Sequence, residues 1–188
     1  MTHWLMAFLL LASFPVAGAN LALDPTKSRV GFTYQQMGSS VEGEFKRYTA
    51  NVQFDPAHPE AGHVVFRIYP AGTDAGNADA NNELLLPAFF DVRRFPEAMF
   101  ESTRIQALAN GRYDVTGKLT LKGVTRPMST TAQVKAYGSA LQLMGEFHLK
   151  RLDFGIGSGI WSDDSVLGND VRVSYSLRLL PALASKKK

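Results

Sequence analysis

The chain has no cysteine among its 188 residues. That excludes disulfides, thiolate metal sites, a cysteine nucleophile and attached c-type haem. Histidine is scarce: the four, His3, His58, His63 and His148, stand far apart without ligand spacing, so no metal site is expected. Charge of one sign is lacking as well. Lys and Arg number 20 against 17 Asp and Glu, and Lys186, Lys187 and Lys188 supply the whole excess. No basic face with interleaved aromatics argues for nucleic acid. The lysine tail is expected to be solvated, with a weak contact to an anionic membrane surface as the alternative. The apolar run at residues 4–14 is eleven residues long, whereas a spanning helix needs about twenty. With Ala17-x-Ala19 behind it, the run predicts a secretory signal over residues 1–19 and export to the periplasm. Residues 20–188 then form one domain, and the chain's 45% apolar composition is enough for a sizeable core.

What the sequence does have is alternation. Tyr113, Val115, Leu119 and Leu121 are apolar, with Gly117 among them, while Asp114, Thr116, Lys118, Thr120 and Lys122 are polar. A period of two predicts an antiparallel strand with one dry face. Asn110-Gly111 before it signals a hairpin, because both residues tolerate positive φ. Gly123 ends or bends the strand. The dry pattern recurs in Val30, Phe32 and Tyr34; in Val41, Gly43 and Phe45; and in Val64, Phe66 and Ile68. It recurs again around Phe100, in Met128 to Val134, in Leu141 to Leu149 (with Phe147), and in Val171, Val173, Tyr175, Leu177 and Leu179. Tyr48, Ala50, Val52 and Phe54 take the opposite parity to Phe45, so a bulge or bend is expected near Lys46-Arg47 in one long strand. Residues 82–90 lack alternation and predict a short helix capped by Asn81 or Asn82 and limited by Pro87. Phe89, Phe90 and Phe95 would pack one end of the sheet.

The count is about eight strands joined mostly by short turns. The fold class expected is all-β with a small helical insertion, an eight-stranded antiparallel barrel, with a two-sheet sandwich as the alternative. Small barrels of this size either fill with side chains or enclose one ligand, and the pattern fits both.

Chemistry is hard to find. Gly155-Ile156-Gly157-Ser158-Gly159 fails the dinucleotide fingerprint at Ile160 and lies among strands, so a flexible loop is expected. Asn77, Asp79 and Asn81 resemble part of a calcium loop, but Asn82 and Ala88 stand where glycine and the bidentate Glu belong. Asp153, Asp163, Asp164 and Asp170 gather in sequence without a spacing that singles out a catalytic pair. Arg151 and Asp153 share the dry parity and suggest an ion pair fixing the loop. His148 falls on the wet parity and is expected to be solvated. No catalytic constellation is present, and an enzyme is not expected.

Four blocks together carry a resemblance: LDPTKSRVGFT from Leu23, FDVRRFPEAMFEST from Phe90, GKLTLKGVTRP from Gly117 and RLDFGIGSGIW from Arg151. The chain resembles the YceI family from Leu23 to about Leu180. The resemblance implies a lipocalin-like barrel around a long apolar tunnel, a bound polyisoprenoid or other long-chain lipid, a periplasmic location, and no catalytic residues. The tunnel wall it implies comprises Val30, Phe32, Tyr34, Phe45, Val52, Phe54, Val64, Phe66, Ile68, Leu84, Phe89 and Phe90. It continues with Phe100, Leu119, Leu121, Phe147, Leu149, Trp161, Val173, Tyr175 and Leu177. The only bound group implied is an isoprenoid lipid or quinone. Glu83-Leu84 and the Arg151-to-Trp161 block are similar to domains fused to, or encoded beside, membrane di-haem cytochromes b. The partners expected are therefore the lipid, such a cytochrome, and a second copy of the chain. Relatives often carry His where this chain has Lys27 and Glu83, so no head-group role of those histidines transfers.

Overall fold

In a computed structural model of the protein, the described residues are 20–182. The expected signal segment and the terminal lysines lie outside them. The chain runs β1 (Asn20–Gln36), β2 (Ser39–Phe45), β3 (Tyr48–Gln53), β4 (His63–Ile68), β5 (Thr73–Asp74), α1 (Ala78–Leu84), β6 (Ala98–Ala107), β7 (Arg112–Leu121), β8 (Val124–Tyr137), β9 (Ala140–Lys150) and β10 (Leu167–Pro181). Every pairing is antiparallel, and β10 pairs back onto β1. Eight strands (β1, β3, β4 and β6 to β10) close the ring. The barrel prevails over the sandwich.

The phase change at Lys46-Arg47 is a full break. β2 pairs with the second half of β1 and β3 with its start, so the two lie in line against one partner. At the break, the Lys46 amide bonds to Gly72 and the Tyr69 amide to Arg47. The strand thereby changes its outer neighbour from β5 to β4.

In β7, Tyr113, Val115, Gly117, Leu119 and Leu121 are all buried, as the alternation requires. Asn110 and Gly111 have φ of 61° and 68°, the paired positive values of a type I′ hairpin. Lys122-Gly123 makes a second such turn into β8, with φ of 49° and 76°.

The helix is the main correction. It starts at Ala78, not at Asn82, because the Asn77 side chain accepts the Ala80 amide at 2.9 Å and caps the first turn. Asn81, the expected cap, instead accepts the Ala75 amide at 2.6 Å. Residues 85–95 follow as hydrogen-bonded turns that bring Phe89 and Phe90 into the core.

One seam of the ring is incomplete. β8 and β9 pair only from Tyr137↔Ala140 to Thr131↔Glu146, so residues 124–130 and 147–150 have no backbone ladder partner across that seam. The Arg151–Phe154 turn lies over it: Arg126 reaches the Asp153 carbonyl at 3.5 Å, and Phe154 joins the cluster of Leu119, Leu121, Met128 and Leu149.

Candidate functional site

The dry faces converge on a hollow interior with two chambers. The narrow chamber has a volume of about 130 Å³ and the wide one about 480 Å³. They share Ile68, Ala98, Leu119, Phe147 and Val173 as walls, so the two chambers adjoin. At the narrow chamber, Leu21, Phe54, Ile105, Tyr113 and Leu179 pack in one buried cluster, with Phe54 edge-on to Tyr113 at 5.1 Å. The other end opens beside α1 and the turns at residues 156–167.

The interior stays hollow because three large rings fold onto the wall over glycines. A side chain at Gly43 would collide with the Phe32 ring, one at Gly117 with Phe100, and one at Gly145 with Tyr175. Each glycine faces the lumen on a strand next to the ring's own strand. A ring lying over backbone takes lateral space and leaves the axis free. The Tyr175 hydroxyl is satisfied at 3.3 Å from Thr130, whose own hydroxyl donates to the Glu146 carbonyl. Burial pushes the Tyr34 and Tyr175 hydroxyls above their ordinary pKa. Among the described residues, every buried side-chain nitrogen or oxygen has a hydrogen-bond partner. The narrow chamber therefore offers a guest contact and almost no polarity.

All the wall residues named from the sequence line this cavity. Val30, Val52, Phe54, Val64, Phe66, Phe100, Tyr175 and Leu177 face the narrow chamber. Phe32, Tyr34, Phe45, Leu84, Phe89, Phe90, Leu121, Leu149 and Trp161 face the wide one. The shared set contains Ile68, Leu119, Phe147 and Val173. Sequence reasoning missed the polar mouth, where Gln36, Asn77, Asp79, Glu83 and Arg151 line the wide chamber. α1 brings Asp79 and Glu83 to one face, four residues apart. The Glu83 carboxylate accepts the Trp161 indole N–H at 3.1 Å, and Trp161 packs on Phe89 at 5.7 Å.

Arg151 overturns the expected ion pair with Asp153. β9 ends at Lys150, so the parity that paired them does not continue. The buried guanidinium donates instead to five backbone carbonyls: Gly168 at 3.0 Å, Ile156 and Gly157 at 2.9 Å, Trp161 at 2.7 Å, and Leu167. Burial pushes its pKa down, and the charge of nearby Asp164 works the other way. The glycine-rich stretch expected to be a flexible loop is therefore organised around one side chain.

The remaining candidates do not form a second centre. Asp163 caps Ser165, Asp164 accepts the Asn169 amide, and Asp170 bonds His148 at 2.6 Å, all away from the cavity. His148 is thus a surface partner of Asp170, beyond the plain solvation expected. Among the described residues, no three His, Asp or Glu side chains gather as a metal site. No helix there is long and apolar enough to cross a membrane.

A closed eight-stranded barrel around an apolar cavity, with polar side chains along the wide chamber, is the architecture of lipocalin-like ligand-binding barrels. The chain belongs to the YceI family, whose YceI-like domain matches residues 21–179. A UPF0312 protein of Ectopseudomonas mendocina is 32% identical over 135 residues, covering 68% of this chain and 71% of that one. The crystal structure of BcnA from Burkholderia cenocepacia superposes with a TM-score of 0.81 at 33% identity, covering 83% of this chain and 98% of that one. A polyisoprenoid binding domain from Saccharophagus degradans, implicated in plant cell wall breakdown, shares the fold at 17% identity with a TM-score of 0.71, covering 87% of this chain and 99% of that one.

Proposed function

We propose that the protein is a periplasmic carrier or binding protein for a long-chain isoprenoid lipid, a polyisoprenoid or an isoprenoid quinone, held in the barrel cavity. The observation that carries this reading is the hollow, ring-walled interior. A long apolar chain fits a lumen whose narrow chamber is walled almost entirely by apolar side chains, with the Tyr175 and Thr130 hydroxyls already bonded. The fold shared with the polyisoprenoid binding domain supports it. Binding without catalysis is supported by the family match and by the fold shared with a polyisoprenoid binding domain. The periplasmic location rests on the signal-like residues 1–19.

The experiment is solvent extraction of the purified protein followed by mass spectrometry of the extract, with cell fractionation and intact mass alongside. A stoichiometric isoprenoid lipid in a periplasmic protein beginning at Asn20 is expected. Recovery of no lipid, or of bulk phospholipid alone, would sink the reading.

A second reading, an accessory or assembly partner of a membrane di-haem cytochrome b, is favoured by one contact. Glu83 and the Arg151-to-Trp161 block, which carry that resemblance, meet through the Trp161–Glu83 hydrogen bond at the mouth. Co-purification of a haem protein with the tagged chain, lost in Trp161→Ala, would support it. A hydrolase is a distant third reading, and the cavity's lining offers nothing in its favour.

A further inference from the structure

The mouth of the wide chamber is lined by Gln36, Asn77, Asp79, Glu83, Arg151 and Trp161. A lipid whose tail fills the barrel must place its head among these groups. Arg151 is the one cation in the cavity's lining among the described residues. A guanidinium has five N–H donors. Here Nε gives one, to Gly168, one terminal nitrogen gives two, to Ile156 and Gly157, and the other gives two, to Trp161 and Leu167. None is left for a guest. Asp164 stands close enough to act on the charge.

Two cations on adjoining turns are committed too. Lys122 donates to the Pro87 carbonyl at 2.7 Å and the Gly155 carbonyl at 2.6 Å, and Arg94 lies 3.5 Å from Asp91. What remains facing the head is acidic or neutral. Asp79 and Glu83 share a face of α1, and the Asn77 oxygen is taken by its cap. Glu83 gives one carboxylate oxygen to Trp161, and its second is an acceptor without a partner among the described residues.

We infer that the mouth selects lipids with an uncharged, hydrogen-bond-donating head, such as a prenol or a quinol. It discriminates against phosphate- and pyrophosphate-headed lipids of the same chain length. This rests on the carrier reading and specifies its ligand class. A hydroxyl head donates to Glu83, whereas a phosphate meets two carboxylates and a cation with no free donor.

The test uses the delipidated mature protein, with a polyprenol, its monophosphate and its pyrophosphate of equal chain length competing in neutral detergent at low salt. The monophosphate is expected to bind roughly tenfold or more weakly than the prenol, since like-charge juxtaposition is costly in a partly buried site. The pyrophosphate should be weaker still. The gap should narrow with added salt and in an Asp79→Asn, Glu83→Gln double variant, whose side-chain amide at the second position keeps an oxygen to accept the Trp161 N–H. Circular dichroism and thermal melting establish that the variant is folded. Equal or tighter binding of the phosphates overturns the selectivity alone, as does a gap unchanged in the folded double variant. Binding of none of the three overturns the carrier reading and the selectivity with it.

Discussion

Tyr175 on β10 sits directly across from Gly145 on β9, and its ring occupies the space into which a Gly145 side chain would project. The same arrangement joins Phe32 to Gly43. The wall is thereby built from rings and the axis left open. Gly145→Val is expected to push the Tyr175 ring into the lumen and break its contact with Thr130. The cost should be about 1–3 kcal/mol, as for other overpacked cores. Urea denaturation reads the stability, and lipid extracted per mole of protein reads the lost space. A variant of full stability and full lipid content would mean that the ring does not depend on that glycine.

Arg151 holds five carbonyls from three stretches of one segment, residues 156–157, Trp161 and residues 167–168. Arg151→Met should cost at least about 3 kcal/mol, because several acceptors lose their donor at once. Arg151→Lys should recover little, since an ammonium has three donors and no planar fork. Chemical denaturation of the two variants checks both expectations. A methionine variant within about 0.5 kcal/mol of the parent, the range of ordinary surface substitutions, would show that the segment holds itself.

The His148–Asp170 pair should matter only at one end of the pH scale. The His148 hydrogen bond holds the Asp170 carboxyl below its usual pKa against the opposing effect of burial, with Lys150 adding to the lowering. A lowered folded-state pKa contributes stability above the unfolded value near 4 and loses it as pH falls through the folded value. Both side chains are about half exposed, so solvent screening keeps the contribution to about 1 kcal/mol or less. Asp170→Asn should therefore melt slightly lower than the parent at pH 6 and equal it at pH 2–3. A difference that grows in acid would contradict this sign.

The barrel was legible because period-two alternation survives wherever a strand has one dry face. Tyr113 to Leu121 reads off the sequence residue by residue, and so do both halves of the broken strand at Lys46-Arg47. The hollowness was also written there, in Gly43, Gly117 and Gly145 on the dry parity, but only the pairing register shows which ring covers each. The helix start was misplaced because three asparagines compete for the cap, and backbone geometry picks Asn77. Arg151 was misread because parity says nothing once a strand ends. Its partners are backbone carbonyls, which no side-chain pattern can advertise. The mouth is hidden for a related reason: in sequence Asp79 reads as part of an incomplete calcium loop and Glu83 as part of a family block, and only α1 puts them on one face beside the wide chamber.

The cavity itself can be tested by filling it. Leu121 is 8% exposed, lines the wide chamber, and lies in the same buried cluster as Phe89, Phe90 and Phe154. Leu121→Trp keeps that surface apolar and takes space from the lumen, whereas an inserted charge would confound occupancy with unfolding. Overpacking should cost about 1–3 kcal/mol, small enough to leave the barrel folded. Each methylene that a lipid buries from water is worth about 0.8 kcal/mol, so losing a few of them should weaken binding by orders of magnitude. A tail already dry in a bilayer gains little of this, so the protein should exchange lipid with membranes instead of stripping it irreversibly. Leu108→Trp, at the far rim where Leu108 is 43% exposed, adds the same ring outside the cavity and should leave lipid content unchanged. Mass spectrometry of extracts from the two variants should show a shorter lipid, or none, only in Leu121→Trp. The same lipid at the same stoichiometry in a folded Leu121→Trp protein would place the ligand somewhere other than this interior.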